Sequence, residues 1–144
     1  MQVSDVLKAK GARVMTVRPN ETVRVLTERL RAERVGALVV SEDGRRMTGI
    51  VSERDVVGCV AQHGRGAPDV KVAEIMSRRV ITCAPSDSLT AIARKMTENR
   101  IRHLPVVDGD LLVGLVSIGD VVKLRLAEME LEANVLRDLA VASH

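Results

Sequence analysis

Apolar positions recur along the chain in two alternating rhythms, and the same succession of rhythms occurs twice. Val23, Leu26 and Leu30 lie at helical spacing behind Thr22, a residue type suited to an N-cap. Leu89, Ile92 and Met96 repeat that face behind Ser88. Each of these helices precedes two short strand patterns, Ala37 to Val40 with Met47 to Ser52, and His103 to Val107 with Leu111 to Ser117. Asp43-Gly44 and Asp108-Gly109 stand between the strands as hairpin turn signals. Short helical starts, Val3 to Leu7 and Val72 to Met76, open the two halves and lead into Thr-x-x-Pro (Thr16 and Pro19; Thr82 and Pro85). A further helix is predicted from Asp55 and again from Asp120.

Aligning the chain with itself makes the duplication explicit. Val3-Ser4-Asp5-Val6-Leu7 matches Val72-Ala73-Glu74-Ile75-Met76 at an offset of 69. Thr16, Pro19, Leu38 and Val40 match Thr82, Pro85, Leu104 and Val106 at 66, and Gly49 to Val57 matches Gly114 to Val122 at 65. The offset slips only at turn residues, where insertions are tolerated. The predicted organisation is a first repeat over 1–62, a linker over 63–71, a second repeat over 72–125 and a helical extension over 126–144. A half of this size has too few helices to cover both faces of a sheet. The predicted fold is therefore α/β (α+β): two pseudo-symmetric repeats, each a small sheet with flanking helices, packed sheet to sheet into one cooperative unit.

The extension continues a helical pattern, with Val122, Leu126, Met129, Ala133, Leu136 and Ala140 at intervals of three and four. Some 22 helical residues span about 33 Å, more than one side of so small a domain needs. A homodimer in which this helix covers a neighbouring subunit is expected; a frayed, partly solvated tail is the alternative.

Composition narrows the chemistry. Hydrophobic residues make up 46% and charged residues 28% of the 144, a soluble globular balance, yet Phe, Tyr and Trp are all absent. Readers of single-stranded nucleic acid that work by base stacking are thereby disfavoured. A planar ligand has only aliphatic side chains to lie between. The formal charge is +3, and 17 of the 22 basic residues are Arg, interspersed with 19 acids. That mild bias suits a phosphate-bearing ligand better than a DNA backbone. Cys59 and Cys83 read as reduced, buried thiols, and no apolar run approaches a membrane span, so a cytoplasmic location without membrane attachment is expected.

The repeated Gly-[Ile/Leu]-Val-Ser-x-x-Asp carries the candidate chemistry. A Ser and an Asp three residues on, at a strand-to-helix turn, sit beside the free N–H groups of a helix N-terminus, which attract phosphate. The carboxylate accepts bonds from ribose hydroxyls. The same residues, Ser52 with Asp55 and Ser117 with Asp120, also suit plain helix caps.

The order of helix, Thr-x-x-Pro, helix, [Ile/Val]-x-[Ala/His]-Leu-x-Val, turn and Gly-[Ile/Leu]-Val-Ser-x-x-Asp resembles a cystathionine-β-synthase (CBS) domain, and two in tandem resemble a Bateman module. The resemblance covers residues 1 to about 125. It implies a regulatory module, not an enzyme, that binds an adenosyl ligand such as AMP, ADP, ATP, NADH or S-adenosylmethionine and relays occupancy to an unidentified regulated protein. It also implies crossed sites. One would join Ile50, Ser52, Arg54 and Asp55 to Thr82, Cys83, Ile101, Arg102 and His103. The other would join Leu115, Ser117 and Asp120 to Thr16, Val17, Val35, Gly36 and Ala37. Arg54, Arg102 and His103 make the first site cationic, whereas Gly119, Gly36 and Ala37 stand at the corresponding positions of the second. His103 either binds phosphate when protonated or hydrogen-bonds within its strand.

No Walker sequence, HExxH or GxSxG is present to carry catalysis. Cys59 and His63, four apart on a helix, have no partners to complete a metal site, so none is expected. A structural dimerisation module and an Arg-surface nucleic-acid-binding protein remain the rival readings.

Overall fold

The structure, a computed structural model, describes residues 1–11 and 13–143. The first half contributes α1 (Val3–Lys10), β1 (Thr16–Val17), α2 (Val23–Glu33), β2 (Ala37–Val40), β3 (Gly49–Ser52) and α3 (Glu53–His63). The second contributes α4 (Val72–Ile75), α5 (Leu89–Asn99), β4 (His103–Asp108), β5 (Leu111–Ser117) and the long α6 (Ile118–Ala142). Thr22 and Ser88 cap α2 and α5, their hydroxyls accepting from Val25 N and Ala91 N. Helices α3 and α6 start two residues before the predicted Asp55 and Asp120. Ser52 and Ser117 are extended N-caps, and each Asp sits at the third helical position, accepting from its cap's backbone N–H.

The first sheet has the order β1-β2-β3. β1 runs parallel to β2 (Thr16 beside Val39), and β2 runs antiparallel to β3 (Ala37 beside Ser52). In the second sheet β4 and β5 are antiparallel with His103 beside Ser117, and a single bridge, Cys83 to Val106, replaces the β1 pairing. β3 starts at Gly49, two residues later than the hydrophobic pattern predicts.

The two sequence repeats are not the two spatial lobes. Helix α1 of the first half packs on the second sheet: Val3 and Val6 are buried with Leu89, Ile92, Met96, Leu104, Val106 and Val116. Reciprocally, Val72 and Met76 are buried with Leu26, Leu30, Leu38, Val40 and Val51 of the first half. Backbone bonds fix the exchange. Val3 N and Ser4 N donate to Asp87 O and Pro85 O, while Val72 N and Ala73 N donate to Glu21 O and Pro19 O, all at 2.9 Å. Each Thr-x-x-Pro segment thus clasps the opening helix of the other half. On the opposite faces Ala37, Val39 and Pro105 are also buried, where the sheets cover each other. Residues 63–71 do not form a loose tether. They contain a 3-10 turn (Gly64–Asp69) whose Ala67 is buried with Val23, Cys59 and Val70.

The exchanged helices approach so closely that two strand positions require glycine. A Cβ on Gly114 would lie 2.5 Å from Leu7 Cδ2, and one on Gly49 would lie 2.7 Å from Ser77 O. A leucine end can move, but a backbone carbonyl cannot. Gly49→Ala is therefore expected to cost about 2–3 kcal/mol of unfolding free energy and Gly114→Ala nearer 1 kcal/mol. Adding Leu7→Ala should give Gly114→Ala a favourable coupling in a urea-unfolding double-mutant cycle, because it removes the clash. Strict additivity would show that α1 does not press on β5.

Candidate functional site

The lobes meet where β2 and β4 begin, with Gly36 so near the His103 ring that a Cβ there would lie 3.2 Å from Cε1. Two clefts flank this contact, and both are bordered by Gly36, Glu53, Arg102 and His103. Each exchanged helix leads to one basic side chain, Arg79 beside the first cleft and Lys10 beside Asp120.

The first cleft encloses about 470 Å³, within the range of small-molecule sites. Of the first predicted set it brings together Ile50, Ser52, Arg54, Asp55, Ile101, Arg102 and His103, and it adds Gly36 and Ala37 from the second set. Asp55 is half-buried, and its Oδ2 accepts from Ser52 N (2.8 Å) and Ser52 Oγ (3.2 Å). Arg54, Arg79, Arg100 and Arg102 border the opening, facing the carboxylates of Glu53 and Asp55. Val80 and Ile81 join Ile50 and Ile101 as its apolar walls.

Thr82 and Cys83 do not line this cleft. The Thr82 carbonyl accepts from Lys95 Nζ at 3.0 Å. Cys83 bridges Val106 inside the second lobe, where burial, followed by the nearby Asp87 charge, pushes its thiol up to about 11. Val80 and Ile81, just before the Cys83 bridge, line the cleft there instead.

The second predicted set is dispersed. Val35, Gly36 and Ser117 border an open groove of about 540 Å³ with Gly119. Val17 is fully buried in the first lobe's core, and the Thr16 carbonyl accepts from Arg29 Nη1 at 3.1 Å. Leu115 and Asp120 are engaged by Lys10, whose Nζ donates to Leu115 O at 2.8 Å and Asp120 Oδ2 at 2.7 Å. Burial pushes the Asp120 carboxyl up, but the bonds from Lys10 and Ser117 and the Lys10 charge outweigh it and hold it below the usual range. The expectation of a Gly-rich second site is also corrected. Arg31 and Arg34 enter this groove from the end of α2 and join Arg102 there.

Sequence reasoning missed Arg79 and Arg100, although the repeat contains both signals. The 69-residue offset superposes Arg79 on Lys10, so the same position ends as an ion pair on one side and as a cation lining a cleft on the other. The 66-residue offset pairs Arg100 with Arg34. Both follow a helix C-terminus with φ of +54°, a left-handed conformation for which glycine is the usual choice. Retaining arginine there costs about 1 kcal/mol at each position, as strained backbone at a site often does. His103 is held below its ordinary pKa by burial first, then by Lys10 and Arg102, against opposing pulls from Asp120 and Glu53. Cys59 is buried with its thiol toward Ala67 O, away from both clefts.

Two helix-exchanged repeats with two clefts at their junction define a tandem repeat module. The CBS domain family model matches residues 3–62 and 72–127, and the chain belongs to that family. It is 36% identical over 129 residues to CBS domain-containing protein CBSX3, mitochondrial, of Arabidopsis thaliana, covering 84% of this chain and 63% of that one. It is 33% identical to CBS domain-containing protein YhcV of Bacillus subtilis, covering 82% and 83%. The chain thus spans less than two thirds of the plant relative and most of the bacterial one. The crystal structure of the CBS-domain protein ATU1752 from Agrobacterium tumefaciens superposes with a TM-score of 0.83 at 37% identity, over 87% of this chain and 99% of that one. The CBS domain pair of protein MJ0100, in complex with 5-methylthioadenosine and S-adenosyl-L-methionine, does so at 0.78 and 26% identity, over 89% and 98%. No helix among the described residues is long and apolar enough to cross a membrane.

Lys10→Ala should raise the Asp120 pKa toward the ordinary carboxylate value, observable by NMR titration of its side-chain carbonyl. Because the folded pKa is depressed, the pair's stabilisation is present above the unfolded value near 3.8 and is lost as pH falls through the folded value. Both side chains are partly exposed (39% and 23%), so the deficit of Lys10→Ala at pH 7 should be at most about 1 kcal/mol. It should disappear on acidification below the carboxylate range; a pH-independent deficit would assign Lys10 a packing role instead.

Proposed function

We propose that the chain is a regulatory sensor for an adenosyl ligand carrying a di- or triphosphate, bound in the first cleft. The observation that carries this reading is the meeting of Ser52 and Asp55 with Arg54, Arg79, Arg100 and Arg102 around one opening. The Asp55 oxygen not engaged by Ser52 is available to ribose hydroxyls. Ile50, Val80, Ile81 and Ile101 supply an aliphatic slot for adenine in a chain without aromatic residues. Four guanidiniums against two carboxylates favour phosphate over the sulfonium of S-adenosylmethionine, and ADP and ATP fit this balance best. NADH and AMP share the chemistry with less charge. The second Ser-x-x-Asp is already neutralised by Lys10, so one nucleotide per chain is the expected stoichiometry. Occupancy is relayed to a regulated partner through α3 and α6, which open at the two Ser-x-x-Asp turns. No step of catalysis is assigned.

Calorimetry with ATP, ADP and adenosine tests this. Asp55→Ala should weaken all three roughly 10- to 100-fold by removing charge-assisted bonds to ribose. Arg100→Gly should move two observables in opposite directions. It relieves the left-handed backbone and stabilises the fold by about 1 kcal/mol. It also weakens ATP and ADP more than adenosine. Native chain that binds none of the three would leave the structural dimerisation module as the surviving reading.

The same proposal includes a homodimer. Helix α6 exposes Leu126, Met129, Leu136 and Leu139 at 54–67% of their surface. Covering each such side chain contributes roughly 1.5–3 kcal/mol. Light scattering at tens of micromolar should give a dimer for the full chain and weaker association for a chain ending after Arg125. A full-length monomer would overturn the dimer.

A further inference from the structure

Along α6 the residues Val122, Leu126, Met129, Ala133, Leu136 and Ala140 alternate steps of four and three, which is the 3.5-residue period of a coiled-coil seam and not the 3.6 of a free helix. The fold does not use this stripe. Val121 is buried and Leu124 packs against the second lobe, whereas Val122, Leu126, Met129 and Leu136 are 49%, 54%, 62% and 67% exposed. The flanking charges then decide between geometries. With Leu126, Ala133 and Ala140 at a and Val122, Met129 and Leu136 at d, the g positions are Arg125, Glu132 and Leu139, and the e positions are Lys123, Glu130 and Arg137.

In a parallel, in-register pair each g residue meets the e residue five positions on in the other chain. Arg125 then faces Glu130 and Glu132 faces Arg137, opposite charges at every charged contact, each counted twice by symmetry. Sliding one chain by a heptad puts Arg125 against Arg137. The antiparallel arrangement with full overlap, centred near residue 131, sets Glu130 against Glu130, Glu132 against Glu132 and Lys123 against Arg137. Every charged contact in it is repulsive. Among the described residues Arg125 makes a 3.5 Å contact with Glu128 in which the arginine is 57% exposed, weak enough to yield.

We infer that residues 122–140 of α6 form a parallel, in-register two-stranded coiled coil with a second copy of this chain, its register and polarity set by the Arg125–Glu130 and Glu132–Arg137 contacts. This rests on the homodimer reading and adds its polarity. The small Ala133 and Ala140 at a let the helices approach closely, while Met129 and Leu136 fill the d layers.

Two experiments on the full-length protein test it, each with the melting temperature checked against the parent. First, Ala140→Cys should form an intermolecular disulfide in oxidised glutathione at micromolar protein, because residues at one a layer face each other across a parallel seam. An antiparallel pair centred near 131 separates them by about 27 Å along the axis, beyond disulfide reach. The native Cys59 and Cys83 are buried and do not compete. Second, Glu132→Arg alone and Arg137→Glu alone should each weaken self-association, by roughly tenfold in Kd, since two attractive contacts become repulsive. Mixing these two variants should restore association as a heterodimer, because the reversed charge of one chain then faces the reversed charge of the other. A dimer in light scattering that gives no Ala140→Cys cross-link, or a mixture that associates no better than its components, overturns the parallel coil and leaves the dimer standing. A monomeric parent chain overturns the dimer itself.

Discussion

Everything else in this molecule depends on the exchange of its opening helices. Neither small sheet can cover its helix-facing side with residues of its own repeat: the first borrows Val72 and Met76, and the second borrows Val3 and Val6. A half excised at the linker would expose that apolar face and lose the backbone clasp to the other half's Thr-x-x-Pro segment. The two halves are therefore obliged to fold together. The constraint also tethers whatever follows each opening helix to the far lobe. Arg79 reaches the first cleft, and Lys10 reaches Asp120, for that reason.

Near-symmetry of backbone makes the chemical difference between the clefts sharp. On one side, the basic residue after the exchanged helix is Lys10, held by Asp120 and the Leu115 carbonyl. On the other it is Arg79, which borders the opening beside Asp55. One Ser-x-x-Asp carboxylate is thus paired within the chain, and the other lines a cleft. Duplication supplied two equivalent frames, and a few side chains made their electrostatics unequal. His103, shared by both clefts, feels both sets of charges, and burial is the first cause of its lowered pKa.

Much of the fold was legible because its signals are local. The capping residues Thr22 and Ser88, the paired strands and the doubled Ser-x-x-Asp turns depend on neighbours within a few positions, and the family follows from them. The helix exchange was not legible. A repeat aligned with itself says which segments are alike, but a swapped and an unswapped pair have the same alignment. Arg34 and Arg100 escaped notice because their role comes from a left-handed turn after a helix, and arginine gives no turn signal. Cys83 pairs with Val106 and is buried in the second lobe's core, away from the cleft in which the family resemblance places it. A one-residue change of register along an extended chain reverses the face, so such errors are intrinsic to extended segments.

The placement of α6 joins these strands of reasoning. Its first turn is fixed by Ser117 and Asp120, and Asp120 is in turn fixed by Lys10 from the opposite sequence repeat. Its last contacts with the lobe end near Leu124, after which the helix continues to Ala142. A helix anchored at one end acts as a lever. Over 25 residues, about 37 Å, a tilt of about 5° moves the far end by roughly 3 Å, more than half a helical turn. The N-terminal anchor stands at the groove bordered by Ser117 and Gly119, which shares Gly36, Glu53, Arg102 and His103 with the first cleft. On the proposed sensor reading, charge arriving in either opening would act on groups beside that anchor. The exchanged pair of lobes sets the lever's fulcrum, and on the same reading the exposed seam of α6 is where a small rotation would become a displacement large enough for another chain to register.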